Sequence, residues 1–503
     1  EEVPPRAEAA LAYLARLRNI RIIDPACGSG AFLISAFRRL LDERKTLARE
    51  IANDNKVVDE APLIAEILQN NIHGVDINPS SVEIAKLALW LHSARANAPL
   101  SALDHTIRCG NSLVAPDCWN MITRTPESEA RINPFDWGDE RYDIVLGNPP
   151  YVKLQNMMKV DPDVVAYLQA QRASNTYEST RTGNFDLYLP FIELGLRLLS
   201  PGGRMAYIAP SLWAVNEYGQ GLRALLHRTR QLERWIDFKS YQVFEEAITY
   251  TALQFFTQGA NETVKVVISP EGDMGDIDWT DEALAIPANS LRDDAEWLMA
   301  TGEDREVIER LARDCLRLDD PKVTSGIIQG LVTSADSVFH LEKLGVERYS
   351  CTPKGQASYE VSIEDEVMKP LVSGSDARRF EVSTTNTYLL FPYFENERGT
   401  MALKAPEDME SQYPKAWAYL KSWEKVLRGR ENGKMDRERD WWGYVYPKSL
   451  GKNKLPKLVV PRLVIQLSAF ADTNGKFYLD NVDVGGVIAA SKVETNFLLA
   501  ALN

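Results

Sequence analysis

The chain reads as an α/β fold: a Rossmann-like, doubly wound, mainly parallel sheet followed by a C-terminal α+β domain. Three observations carry this reading. Apolar strand patterns alternate with helical ones from residue 20 to residue 258, the pattern of parallel strands joined by crossover helices. Several of these strands run straight into polar turns rich in Gly, Asn or Pro, where an open parallel sheet places its ligands. Between 269 and 319 the sequence becomes acidic and turn-rich, and beyond 320 short strands replace the alternation. These shifts predict three regions: 1–268, a connecting segment 269–319, and 320–503.

The elements follow in order. "IRIIDPACGSGAFLISAFRRLL" (20–41) reads as strand, glycine loop and helix. The stretch 42–71 is longer than a minimal strand–helix–strand needs and predicts an added helix. "NIHGVDINPSSVEIAKLALWLHSA" (71–94) repeats the plan, with Asn78 as N-cap and Pro79 in the first helical position. Ile84, Leu87, Ala88 and Leu91 recur at helical spacing and predict its apolar face. "HTIRCGNSL" is a third strand ending in a polar turn, and "YDIVLGNPPYVK" (142–153) a fourth. "FDLYLPFIELGLRLLSPGGRMAYIAPS" is a helix, a Pro-Gly-Gly turn and a strand. "RQLERWIDF" and "AITYTALQFFTQ" close the series. "DREVIERLARDCLRL" predicts a helix in the connecting segment.

With 503 residues, 45% of them hydrophobic and 25% charged, the chain is an ordinary globular one of two or three domains. No stretch suits a membrane span and no basic-then-apolar signal opens it, so a cytoplasmic protein is expected. Cys27, Cys109, Cys118, Cys315 and Cys351 show no close pairing, so neither a disulfide frame nor a metal site is expected. His73 lies in a strand pattern and reads as a core residue. Formal charge is 57 − 71 = −14, which argues weakly against a polyanionic partner. The charge is uneven, however. Lys421 to Arg462 holds twelve Lys or Arg against five Asp or Glu. A local basic face can bind DNA while the whole chain stays acidic.

The loop Asp24-Pro25-Ala26-Cys27-Gly28-Ser29-Gly30 follows a strand and opens a helix. Gly28 and Gly30 let backbone approach a ligand. The spacing is neither that of the dinucleotide fingerprint nor that of a phosphate loop. Asp24 would repel phosphate and accept an ammonium group. Asp76, with Ile77 beside it, ends the next strand and suits ribose hydroxyls. Asn111 and Ser112 end the third, where an amide can both donate to and accept from an adenine edge. An ammonium group, a ribose, an adenine and no phosphate together describe S-adenosyl-L-methionine. A plain structural turn remains an alternative for each of these loops taken alone.

Asn148-Pro149-Pro150-Tyr151 ends the fourth strand. Proline cannot donate to a sheet ladder, and each proline extends the residue before it. The result is a stiff tip with a side-chain amide, a fixed carbonyl and an aromatic ring. Exocyclic amines of nucleobases are poor nucleophiles, because the lone pair is delocalised into the ring. Acceptors at the Asn148 side-chain oxygen and the Pro149 carbonyl would favour the tetrahedral nitrogen that attacks a methyl sulfonium. Tyr151 can stack on the base.

The series "DPACGSGAF", "GVDINPSSVEIAKL", "GNSL" and "NPPYVK" resembles the gamma class of adenine-N6 DNA methyltransferases. In particular it resembles the large single-chain enzymes of restriction–modification and phage-defence systems. "SGIIQGLVTSADSVFHL", "MKPLVSGSDARRF", "YPKAWAYLKSW", "WWGYVYP" and "VVPRL" extend the resemblance into the second half, where that family carries a DNA target-recognition domain. The resemblance implies a methyltransferase sheet over 1–268 and target recognition over 320–503. It implies cofactor contacts from Asp24 to Gly30, at Asp76 and at Asn111, and catalysis at Asn148 to Tyr151. It also places Phe244 as an aromatic that sandwiches a flipped base. Asn111 stands where the family often has Asp. The start, close to the glycine loop, and the apolar end, "ETNFLLAALN", suggest a piece of a longer protein. A nuclease domain, if attached, would lie before residue 1.

Within the basic stretch, interleaved with tryptophan and tyrosine, Arg428, Arg430, Lys434, Lys448 and Arg462 are candidate contacts to double-stranded DNA. Gly330 and the run Ser373–Arg379 are softer ones. Two rival readings stand. One is another amino-group methyltransferase, acting on RNA bases or protein glutamine, since an amide poses the same problem. The other is a DNA-binding specificity subunit on a methyltransferase scaffold.

Overall fold

The computed structural model describes residues 5–52, 58–94, 102–170, 177–244, 249–383, 385–437, 439–462, 464, 466–481, 483–490 and 492–503. The chain divides into two compact units, Glu1–Glu309 and Arg310–Asn503.

The first unit opens with α1 (Pro5–Asn19), then β1 (Ile22–Asp24), α2 (Ala31–Ala52), α3 (Glu60–Asn70), β2 (Ile72–Asp76), α4 (Pro79–Ser93) and β3 (Ile107–Cys109). It continues with α5 (Pro126–Ile132), β4 (Tyr142–Gly147), α6 (Leu154–Val160), α7 (Pro162–Gln169), α8 (Tyr188–Arg197) and β5 (Leu199–Pro210). Then come α9 (Gln220–Thr229), β6 (Leu232–Asp237), β7 (Thr251–Thr257), β8 (Thr263–Ile268) and β9 (Ala285–Pro287). The nine strands form one sheet in the order β3-β2-β1-β4-β5-β7-β6-β8-β9. β3, β2, β1, β4 and β5 are parallel, and β7 runs antiparallel between β5 and β6. The order reverses at β1 and β4, so the turns after those two strands open at a topological switch point.

The local chemistry explains the elements. Asn78 caps α4 by accepting the Ser80 N–H at 2.9 Å, and Pro79 takes the first turn, as expected. The extra length after the glycine loop is a long α2 and the added α3, whose N-cap is Asp59. The Pro-Gly-Gly turn is a bulge inside β5: Tyr142 pairs with Leu199 and Ile144 with Arg204. His73 is buried, its Nε2 against the Asn70 carbonyl at 3.2 Å, and burial pushes its pKa down to about 4. This is the core histidine expected.

Two expectations need correction. α4 buries Val82, Ala85 and Leu89, not the expected stripe: Ile84, Leu87 and Leu91 are exposed. Both stripes satisfy the helical period. The small Ala85 wins because it sits on the glycine loop, where a Cβ on Gly30 would lie 3.1 Å from the Ala85 Cβ. The segment 269–319 is more than a connector. β9 extends the sheet, and Leu291, Trp297 and Met299 join the core of the first unit. The division falls within the helix Gly302–Asp314.

The second unit holds two main sheets. Thr324–Gln329, Val484–Ala489, Lys457–Pro461 and Phe470–Asp472 form a four-stranded antiparallel one. A six-stranded sheet runs from Tyr359–Ser362 to Tyr478–Leu479, where the last pairing is parallel. The helix Pro414–Ser422 carries Trp417, which shares a core with Trp441 and Trp442 from a later turn. This is an α+β arrangement. Among the described residues no helix is long and apolar enough to cross a membrane.

Candidate functional site

β1 and β2 deliver their acidic ends to the same loop, with different outcomes. Asp76 lines a cavity of about 530 Å³. Its Oδ2 accepts the Gly28 N–H at 2.9 Å and its Oδ1 the Asn78 N–H at 2.9 Å. The glycine-loop N–H is thus tied to a carboxylate rather than offered to a phosphate. Gly28 and Gly30 sit at φ +53° and +86°, which side-chain-bearing residues rarely adopt. Asp24 is 2% exposed and is not part of the cavity wall. It accepts the Ala26 N–H at 3.0 Å and so orients the loop from behind. Burial pushes its carboxyl up to about 7. The backbone of β4 is close by: a Cβ on Gly147 would lie 2.6 Å from Asp24 Oδ1.

Pro25, Ala26, Ile77, Asn111 and Ser112 all line the cavity. Ser112 donates its hydroxyl to the Pro25 carbonyl at 2.6 Å, joining the ends of β1 and β3. Asn111 Oδ1 accepts the Leu113 N–H at 3.2 Å. Cys27 is buried, packs under Gly74 and has its thiol pushed up by burial, so it is a packing residue.

Asn148 and Pro150 stand on the wall of the same cavity. The sheet therefore brings the Asn-Pro-Pro-Tyr tip and the candidate cofactor residues of three other strands to one space. Tyr151 is half-buried, and its hydroxyl lies 2.6 Å from Asn148 Oδ1 and 3.2 Å from the Ile208 carbonyl. Its ring meets Tyr188 and Phe244 edge-on, with centroids 6.2 and 6.4 Å apart. Phe244 thus joins the tip.

Residues 70–244 match the Eco57I restriction-modification methylase family. Over 439 residues the chain is 26% identical to the type II restriction enzyme and methyltransferase RM.Eco57I of Escherichia coli, covering 80% of this chain and 41% of the relative. Over 161 residues it is 28% identical to the adenine-specific methyltransferase PglX of Streptomyces coelicolor, covering 27% of this chain and 13% of that one. The fold is similar to that of the type IIL restriction-modification enzyme MmeI, solved in complex with DNA. The TM-score is 0.61 at 16% identity, over 98% of this chain and 60% of that one. The chain therefore spans well under two thirds of RM.Eco57I and three fifths of MmeI.

The cavity wall also contains residues that sequence reasoning missed. Met157, Val160, Asp161 and Val164, from α6 and α7, close one side of the cavity, and Leu187 and Phe191 line it further on. Their only signal was the apolar spacing in "LQNMMKVDPDVVAYL" directly after the tip. Arg131 reaches the same wall, held by Asp161 and, at 2.7 Å, by Asp163. A phosphate-seeking cation is thereby neutralised.

The basic stretch of the second unit is less uniform than its sequence. Arg430 is buried and donates to the carbonyls of Leu427, Thr333, Trp441 and Gly443 at 2.6–2.8 Å. This corrects its reading as a DNA contact, because the residue is 6% exposed and its guanidinium is engaged by main-chain carbonyls. Burial lowers its pKa to about 10. Arg428 is paired with Glu424 and Asp436. Lys434, Lys448 and Arg462 are exposed, and the Lys434 ammonium lies 4.4 Å from the Tyr446 ring centre. Gly330 is a close-approach glycine: a Cβ there would lie 2.1 Å from the Asn481 carbonyl.

Proposed function

We propose that this chain is the methyltransferase and target-recognition part of a site-specific DNA adenine-N6 methyltransferase. It would use S-adenosyl-L-methionine, and its setting would be a restriction–modification or phage-defence system. The observation that carries the reading is the shared wall: Asn148 and Pro150 line the same cavity as Asp76 and Asn111.

The cavity suits the cofactor. About 530 Å³ is in the range of small-molecule sites, and its wall is mainly apolar with a few polar groups. Asp76 keeps lone pairs for two hydroxyl donors, and Asn111 can meet an adenine edge. Ala26, Ile77 and Leu113 offer apolar surface to the base. The methionine end would lie toward Pro25 and Ala26, with Asp24 holding the loop beneath it. When bound, the cofactor supplies an electrophilic methyl on a sulfonium. The chain supplies acceptors and exclusion of water. Asn148 Oδ1 can take an N–H of the target amine while still accepting from Tyr151, since a carbonyl oxygen has two lone pairs. The Pro149 carbonyl would take the second N–H. Both contacts strengthen as the nitrogen becomes tetrahedral and positive, which is stabilisation of the transition state over the ground state. Duplex DNA would deliver the adenine by flipping it out of the stack. The second unit would read the surrounding sequence, with Lys434, Lys448 and Arg462 on phosphates.

The test is transfer of a tritiated methyl group from S-adenosyl-L-methionine to plasmid DNA, RNA and protein in parallel. Label is expected in DNA alone. Asn148→Ala is expected to lower transfer at least 10³-fold while calorimetry shows cofactor binding unchanged. Label in RNA or protein, or wild-type rates in Asn148→Ala, would overturn the reading.

A further inference from the structure

In the second unit the segment 373–383 folds into a tight, cross-braced hairpin. Asp376 Oδ2 accepts the Ser373 N–H at 2.9 Å and its hydroxyl at 2.7 Å. Asp483 Oδ2 accepts the Gly374 N–H at 3.0 Å. Ala377 and Val382 form a bridge, and the Arg378 and Ser383 N–H groups donate across the hairpin to the Glu381 and Asp376 carbonyls. The tip is Arg378-Arg379-Phe380, and all three residues are exposed. Neither arginine has an ion-pair partner among the described residues.

Phe380 is the anomaly. Its φ is +63°, and among the described residues it is the one aromatic in the left-handed region. A bulky side chain there is a genuine outlier; Gly or Asn would make the same turn without strain. The fold does not compensate, because Phe380 is 56% exposed. Its backbone is firmly held, with the N–H on the Ala469 carbonyl at 2.8 Å, and the Arg379 guanidinium stands 5.6 Å from the ring centre. A rigid hairpin thus displays an aromatic ring that the unit itself does not need. Strain kept in this way marks positions used for something beyond folding.

We propose that this hairpin is a DNA-reading wedge: Phe380 inserts against the bases while Arg378 and Arg379 hold the flanking phosphates. The inference rests on the reading of the chain as a DNA methyltransferase. The chemistry matches the partner. Apolar side chains wedged at base steps unstack and kink a duplex, and adjacent arginines anchor its backbone. A preformed tip also contacts DNA without first having to be ordered.

The strain makes the proposal separable from a structural role. Phe380→Gly removes the ring and relieves the backbone together. Its Tm is expected to equal or exceed that of the wild type, with cofactor binding unchanged. Its affinity for a duplex oligonucleotide bearing the sequence that the wild type modifies is expected to fall at least tenfold, with the salt slope unchanged. Phe380→Trp should retain most of the affinity. Arg378→Gln with Arg379→Gln should instead flatten the slope of log K against log salt by about two. A Phe380→Gly variant that binds that duplex as well as wild type, or that melts several degrees lower, would overturn the proposal. Wild-type protein that neither binds nor methylates DNA would overturn the methyltransferase reading as well, so the two failures are distinguishable.

Discussion

Asn148 in the first unit and Arg430 in the second are both polar side chains with partners inside the protein, yet they are satisfied differently. Arg430 is buried and spends four of its five N–H donors on main-chain carbonyls. Asn148 has one protein donor on its oxygen, the Tyr151 hydroxyl, and stands on a cavity wall. Bonding capacity left over at a cavity marks a group that can act on a substrate. Saturation marks one that holds a fold together.

The comparison breaks most visibly at Arg430. Arg430→Ala strands buried carbonyls and is expected to destabilise the second unit by on the order of 3 kcal/mol or more, measured by denaturant unfolding. If the variant kept wild-type stability and lost only DNA affinity, the residue would belong to the interface after all. At the other pole, Tyr151→Phe keeps the ring and removes only the donor to Asn148. It is expected to lower the methyl-transfer rate about tenfold in single turnover, with cofactor affinity unchanged, whereas Tyr151→Ala should cost at least 10²-fold. Equal rates in wild type and Tyr151→Phe would leave the amide without its positioning partner.

Asp24 sharpens the contrast, because it is buried but not saturated. Its carboxyl has an ordinary pKa near 3.8 and is raised to about 7 in the fold. Below about pH 4 both folded and unfolded chains hold the proton, and no penalty arises. From about pH 4 to about pH 7 the unfolded chain releases it first, so stability falls as pH rises, and above about 7 the loss is constant. Asp24→Asn cannot ionise. The Tm of Asp24→Asn minus that of wild type should therefore grow across that window and then level off. A difference independent of pH would show that the carboxylate is already charged in the fold.

The smallest effect is at the surface. Lys434→Gln with Lys448→Gln should reduce the salt slope of DNA binding by about two, and Arg428→Gln by less, since its charge is already shared with Glu424 and Asp436. A slope change of about one for Arg428→Gln, as large as that expected for each lysine, would show that these pairs open on binding.

What was legible in the sequence was what short-range sterics dictate. Pro149 and Pro150 end β4 because neither can join a ladder, and Asn78 with Pro79 starts α4 because cap and first turn are local. That Asp76, Asn111 and Asn148 all follow strand ends on one edge of a parallel sheet was legible from the alternation of strands and helices; the strand order was not. Long-range competition was not legible. α4 could bury either of two stripes, and the choice was made by Gly30, some fifty residues upstream. β9 has three residues in an acidic stretch and declares itself only by pairing with β8. Arg430 sits among other basic residues that face solvent, and only the four carbonyls around it distinguish it. The Tyr151–Asn148 hydrogen bond was within reach, since the residues are three apart on a rigid turn, but a stacking role for the ring drew the reading away from its hydroxyl.

The central claim is that the rigid tip after β4 presents acceptors to an exocyclic adenine amine beside the methyl donor. Single-molecule sequencing of DNA from cells expressing the full-length protein, or its Asn148→Ala variant, tests this most directly, because it reports the modified base and its context together. The expected result is N6-methyladenine at one short sequence with wild type and none with the variant. Modified cytosine, or N6-methyladenine at the same sites with Asn148→Ala, would contradict it.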